Sequence, residues 1–134
     1  MDHNRIRLQN AFYIIMPFDE LFANRIRKVL DEKDVHYTEK KMFSGICFLV
    51  DDKMLCGTHQ DKMTLENLLL CRLSEEDFLE TIELAESKEM NFTGKPMKGF
   101  VYITEQGTQS NKALEKWLQL CLNFNPLAKK SKKK

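Results

Sequence analysis

The chain has 134 residues, of which 43% are apolar and 31% are charged, a composition typical of one globular domain with a hydrophobic core. Its longest apolar run, residues 11–18, is too short to span a bilayer, which takes about 20 residues, and no small-residue cleavage site follows it. We therefore expect a cytoplasmic protein that does not associate with membranes.

Charge is distributed unevenly along the chain, although the net charge is only +1. Residues 1–128 carry 16 basic and 20 acidic groups, because five of the 21 basic residues are lysines in the last six positions. A body with a net charge of −4 repels the phosphates of duplex DNA. The lysine-rich end offers only a weak, salt-sensitive attraction to nucleic acid. Its candidate nucleic-acid residues are Lys129, Lys130, Lys132, Lys133 and Lys134.

The domain is predicted to span residues 17–126, after an N-terminal extension over 1–16 and before a disordered tail over 127–134. The first helix is predicted over 19–34, where apolar residues such as Phe22 and Ile26 recur at helical spacing. We expect that removing residues 1–15 changes stability little.

A hairpin follows a predicted strand over 37–43. Its two strands are predicted over 46–50 and 53–57, with Asp51 and Asp52 as a two-residue turn. Both faces of this hairpin are apolar, whereas a sheet with one wet side needs only one apolar face. Helices can cover one face, and we expect a second copy of the chain to cover the other, as a homodimer.

With this turn, Cys47 faces Cys56 as a non-hydrogen-bonded pair with Cα atoms ~4.5 Å apart. That spacing lies at the short limit for a disulfide, which makes these two residues redox candidates. The preferred interpretation is two free thiols packed side by side. The four cysteines and three histidines are scattered and form no CxxC motif, so no metal site is expected.

The second half of the chain continues with a predicted strand over 68–73 and a helix from the Ser74 cap to about Ser87. A strand over 100–103 and a last helix from the Ser110 cap to Asn125 complete it. The fold class is therefore α+β, with an antiparallel sheet of about five strands and three helices in two layers.

The segment 91–100, NFTGKPMKGF, combines glycine, lysine and threonine as phosphate-binding loops do. It lacks the hydroxyl residue after Gly94-Lys95 and the following helix that a Walker A loop requires. A structural loop is the preferred interpretation, and a partner-binding loop is the alternative. The partner-binding candidates are Thr93, Gly94, Lys95, Pro96, Met97, Lys98 and Gly99.

Two ordered motifs, KKMFSGICFLVDDKM at 40–54 and MNFTGKPMKGFV at 90–101, resemble the TfoX N-terminal domain family. Ser44 and Asn91 replace that family's usual glycine and aspartate, and the segment 57–68 is longer than usual. The resemblance implies an α+β fold similar to secretion chaperones, which bind protein partners and pair as dimers.

The resemblance also implies a regulatory function, because full-length TfoX (Sxy) proteins regulate natural competence and are thought to act with a cyclic-AMP receptor transcription factor. Those proteins carry a second, helical domain that we do not expect after Pro126, so a competence role does not transfer directly. The family has no defined catalytic residues, and we expect neither an enzyme nor a cofactor.

Three functions remain open from the sequence. The preferred one is a small cytoplasmic regulatory or protein-interaction module, with a protein partner such as a transcription regulator. The first alternative is a nucleic-acid-binding accessory protein that uses the lysine tail. The second is an enzyme, which a deep pocket lined by Arg72, Lys95 or His59 would indicate.

Overall fold

The structure is a computed structural model of the chain, and it describes residues 20–42, 45–92 and 95–129. In these residues three α-helices accompany a six-stranded antiparallel sheet. The predicted α+β class is confirmed, with one strand more than the expected five. No helix in the described ranges is long and apolar enough to cross a membrane.

The helices and strands alternate in five groups along the chain. In order they are α1 (Glu20–Glu32), β1 (Thr38–Met42), β2 (Gly45–Val50), β3 (Lys53–Gln60), β4 (Asn67–Arg72), α2 (Glu75–Thr81), β5 (Ser87–Phe92), β6 (Lys95–Ile103) and α3 (Asn111–Phe124). Short 3-10 turns at Glu105–Thr108 and Asn125–Leu127 flank α3.

The strands lie in the order β1-β2-β3-β4-β6-β5, and every neighbouring pair is antiparallel. Asp51 and Asp52 form the predicted turn between β2 and β3, with φ angles of 54° and 61°, as a two-residue type I′ turn requires. Only the crossover through α2, which brings β5 to the far edge, breaks the sequential order of the strands.

One hydrophobic core joins the helices to one face of the sheet, which we call the covered face. The sheet contributes alternate residues of its central strands, including Phe48, Leu69 and Val101, all 0% exposed. The buried helical side chains of this core are Phe22, Ala23, Ile26, Leu30, Phe78, Leu114, Trp117, Leu118 and Cys121. All three helices therefore pack into the same core as this face.

Both predicted serine caps are present. The Ser74 hydroxyl accepts from the Asp77 amide at the start of α2, and the Ser110 hydroxyl accepts from the Ala113 amide at the start of α3. The predicted end of α2 near Ser87 is wrong, because the helix stops at Thr81. Ser87 instead begins β5, since pairing with β6 overrides the local helical pattern.

The segment 91–100 is part of a hairpin rather than an irregular loop. Asn91 pairs with Pro96 and Phe92 pairs with Lys95, so β5 and β6 continue almost to the tip. Thr93 and Gly94, at the tip, lie outside the described residues.

The predicted pairing of Cys47 with Cys56 is wrong, although the turn beside it is right. Leu49 faces Met54 as expected, but a β-bulge then shifts the register, so that Cys47 faces Gly57 and Phe48 faces Cys56. The extra residue in β3 is Leu55. Because a one-residue shift exchanges the two faces of a strand, Cys47 and Cys56 lie on opposite faces of the sheet and cannot form the proposed redox pair.

Both termini of the chain extend beyond the described residues. The predicted N-terminal extension and Lys130, Lys132, Lys133 and Lys134 of the predicted tail lie outside them. Ala128 is buried and the Lys129 carbonyl accepts a hydrogen bond from Arg72. Ala128 and Lys129 therefore contact the domain, and the boundary at residue 126 stays a prediction.

Candidate functional site

The second face of the sheet is not part of the core that contains the three helices. We call it the open face, and its residues alternate along the strands with those of the covered face. They are Lys40, Cys47, Leu49, Met54, Gly57, His59, Leu68, Leu70, Arg72, Lys88, Phe100 and Tyr102. Within the described part of the chain, none of these side chains belongs to the core cluster or packs against it.

Exposure differs sharply between the two faces. Leu49, Met54, Leu70, Phe100 and Tyr102 are only half-buried, although they occupy central strands. On the covered face, Phe48, Leu55, Leu69 and Val101, which neighbour these residues along the same strands, are at most 1% exposed. The open face therefore keeps a partly accessible surface that contains several apolar side chains.

His59 and Tyr102 form a stacked pair at one end of the open face. Their ring centroids are 5.2 Å apart, with an angle of 21° between the planes. Because β4 lies between their strands, the two rings meet above it. Leu68, which is opposite His59 in the register of β3 and β4, is 2% exposed. Burial lowers the pKa of His59 and raises the pKa of Tyr102, so both side chains favour their neutral forms.

Arg72 and Phe100 form a second pair toward the other end of this face. They are directly opposite each other on β4 and β6, and the guanidinium carbon lies 5.5 Å from the centre of the phenyl ring. Arg72 Nη2 also donates to the Lys129 carbonyl at 3.1 Å. Burial lowers the pKa of Arg72, but a guanidinium stays charged at neutral pH. A positive charge is thus fixed beside an aromatic ring.

The charges on the open face are all positive. Its described strand positions include Lys40, Arg72 and Lys88 but no aspartate or glutamate, since Glu39 and Glu89 belong to the other face. Lys88 Nζ lies 3.3 Å from Glu66 Oε1 at the rim. Lys40 and Arg72 have no such carboxylate partner among the ion pairs of the described residues. The open face is therefore basic, although the body of the protein is acidic.

The four cysteine thiols are free and buried. Three of them lie in the core and one lies on the open face. Cys56, Cys71 and Cys121 lie together in the core, where Cys71 is directly opposite Cys56. Cys47 lies on the open face. Burial raises the pKa of Cys47, and burial raises the pKa values of Cys56 and Cys71 further. Cys56 and Cys71 are therefore poor nucleophiles, and the described residues contain no cluster suited to a metal ion.

The described part of the predicted partner-binding loop is held against the start of α2. The Gly99 carbonyl accepts from the Leu73 amide at 2.8 Å, and Gly99 has a φ of 88° that favours glycine. Lys98 Nζ lies 3.3 Å from Glu75 Oε1. Met97 is half-buried. These contacts support the structural interpretation of the loop.

A shallow groove of about 400 Å³ lies at the start of α1. Arg25 lines it and donates to the Thr108 carbonyl at 2.7 Å, so this cation serves to join α1 to the turn before α3. Among the described side chains, His59 and Arg72 are not part of the lining of this groove.

The sequence predicted two apolar hairpin faces, one of them covered by a second copy of the chain, but the bulge at Leu55 moves Cys56 from the face of Cys47 to the core. A usable signal was present in β6, where Phe100 and Tyr102 alternate with Val101 and Ile103. Aromatic residues alternating with β-branched ones indicate two apolar faces of different character.

Comparison with known proteins gives one finding about identity. A family model described as the TfoX N-terminal domain matches residues 33–125, which is more than half of the chain. No curated protein and no solved structure matches. The matched residues run from the end of α1 to the end of α3 and include the whole sheet. The chain therefore belongs to the TfoX N-terminal domain family.

Proposed function

We propose that this protein is a small, non-enzymatic regulatory module of the cytoplasm that acts by binding a protein partner through the open face. The observation that carries the proposal is the exposure of apolar residues such as Leu70 and Phe100 on a central part of the sheet. Side chains in such positions are normally covered, and partner binding is the usual reason that they are not. Membership of the TfoX N-terminal domain family supports a regulatory role.

The chemistry of the open face supports binding rather than catalysis. His59 is its one histidine, and it stacks on Tyr102 instead of contacting a nucleophile. The thiol of Cys47 has a pKa raised mainly by burial, and a raised pKa disfavours the reactive thiolate. A transcription regulator is the class of partner that the family relationship favours, and a second copy of the chain is another protein that this face can accept.

One observation favours a second candidate function, accessory binding of nucleic acid. The bond between Arg72 and the Lys129 carbonyl places the start of the lysine-rich end beside the open face. Deleting residues 130–134 and measuring DNA affinity over a range of salt concentrations tests this candidate. A loss of salt-dependent affinity on deletion supports it, and unchanged affinity contradicts it.

The main proposal is tested by introducing a charge on the open face. Leu70→Glu and a control, Leu84→Glu, are used with the unaltered chain as baits for capture from the native cell. Leu84 is 40% exposed and lies between α2 and β5, so the control adds the same charge elsewhere. We expect Leu70→Glu alone to lose the captured protein. Retention of the same protein by Leu70→Glu would contradict the proposal.

A further inference from the structure

We infer that the open face receives an amphipathic helix whose polar side is acidic. The inference rests on the proposed function and names the chemistry of the partner. Three features support it: an apolar strip along the middle of the face, the spacing of two cations across that strip, and the absence of carboxylates from the described strand positions of the face.

The apolar strip is centred on β3. Gly57 is in register with Cys47 on one side and Leu70 on the other, and Gly57 itself is buried. Met54 and Leu49 continue the apolar surface toward the β2–β3 turn. An apolar strip along one strand accepts the row of apolar side chains that a helix presents at positions i, i+3, i+4 and i+7.

Two cations flank this strip. Lys40 is on β1 and Arg72 is on β4, so three strand-to-strand spacings, ~14 Å in total, separate their strands. A helix with its side chains is ~10–12 Å wide. A helix lying over β2 and β3 therefore passes between the two cations, and acidic residues along both of its edges can reach them.

The same charges disfavour a second copy of the chain as the occupant. In a two-fold dimer the open face would meet its own image. It contributes Lys40, Arg72 and Lys88 but no carboxylate at the described strand positions. Such a pairing leaves cations without partners, whereas an acidic helix supplies them.

Nucleic acid fits this face less well. Leu49, Met54 and Leu70 occupy its middle and offer nothing to a phosphate. Lys88 already contacts Glu66, and Asp51 and Asp52 lie in the β2–β3 turn at the end of the apolar strip. A strand of phosphates needs a continuous basic surface, and the apolar strip interrupts it.

The test uses two synthetic helical peptides that share leucines at positions i, i+3, i+4 and i+7. One carries glutamate and the other lysine at the remaining positions. Binding to the full-length chain is measured by fluorescence anisotropy, with the variant Lys40→Glu/Arg72→Glu and a control, Lys28→Glu/Lys112→Glu. Lys28 and Lys112 are exposed on α1 and α3, so the control makes the same change of charge on the helical side. Circular dichroism checks that each variant is folded.

We expect the unaltered chain and the control to prefer the acidic peptide by about tenfold. Lys40→Glu/Arg72→Glu should lose or reverse this preference. The inference is overturned if that variant, folded, keeps the preference for the acidic peptide.

Three other results would also overturn the inference, and each decides whether the proposed function stands. If neither peptide binds, but the chain forms a dimer that Leu70→Glu disrupts, a second copy is the occupant and a protein-binding face remains. If a single-stranded oligonucleotide binds and Arg72→Glu abolishes its binding, both the inference and the proposed function fail. If nothing binds and the chain is a monomer at high concentration, both also fail.

Discussion

Leu69 and Leu70 are consecutive residues of the same strand, yet they meet different environments. Leu69 is 0% exposed in the core that contains the helices, whereas Leu70 is half-buried on the open face. Their residue type and backbone are the same, so the difference comes only from what covers each side of the sheet. The covered face accounts for the folding of the domain. The open face keeps an apolar surface that folding does not bury, and this surface is where we expect function.

The charges of the two sides also differ. The helical side carries both signs, since Glu75, Glu76 and Asp77 begin α2 and exposed lysines such as Lys28 and Lys112 lie on α1 and α3. The described strand positions of the open face present Lys40, Arg72 and Lys88 without a carboxylate.

The largest expected difference is in stability, between Leu69→Ala and Leu70→Ala. Truncating a fully buried leucine in a packed core costs about 2–5 kcal/mol of unfolding free energy. Truncating the half-buried Leu70 should cost about 1 kcal/mol or less. Urea denaturation measures both variants. Equal losses at the two positions would show that the open face is covered in solution.

The second largest expected difference is in the reaction rate of the thiols on the open face and in the core. Cys47 lies on the open face and is 8% exposed, whereas Cys56, Cys71 and Cys121 lie in the core and are at most 1% exposed. We expect Cys47 to react with a thiol reagent at least about tenfold faster than the other three cysteines, because those react only after unfolding exposes them. Its rate should rise with pH, because its raised pKa keeps the thiolate scarce at neutral pH.

Cys47→Ser is the control for this measurement. It should remove the fast phase and leave three slow thiols. A fast phase that persists in Cys47→Ser would place a core thiol within reach of solvent and contradict the division into two faces.

The smallest expected effect concerns His59. Its pKa is lowered by burial, so the unfolded chain binds this proton more readily than the folded one. The resulting contribution to stability is present above pH ~6.5 and is lost as the pH falls below that value. An NMR titration of the imidazole should therefore give a pKa below ~6.5.

Tyr102→Leu sharpens this test, since the stacked ring of Tyr102 is part of what buries His59. Without it, the pKa of His59 should rise toward its ordinary value. Tyr102→Phe keeps the ring and should leave the pKa low. If both variants gave the same pKa, the stack would not be its cause.

Local signals predicted much of the fold. Ser74 and Ser110 carry the hydrogen bonds of the two helix starts, and Asp51-Asp52 forms the predicted turn. Each of these depends on residues within a few positions of one another. The α+β class follows from the same local patterns and is confirmed.

The remaining features depend on contacts between distant residues. The bulge at Leu55 decides whether Cys56 faces the core or the open face, and no neighbouring residue indicates it. β5 forms because β6 lies beside it, although the sequence before it favours a helix. The residues that form the open face can be identified only when the register of all six strands is known. The sequence therefore predicted its partner-binding candidates at residues 93–99 instead. The predicted homodimer and the protein partner stay predictions.

The proposed function requires the apolar open face to be accessible in the folded chain. NMR of leucine methyl groups with a soluble paramagnetic agent tests this accessibility directly, because signals near solvent lose intensity. We expect strong losses for Leu70 and Leu49 and none for Leu69 and Leu114. If the methyl groups of Leu70 were as protected as those of Leu69, the open face would be closed to a partner, which contradicts the proposal.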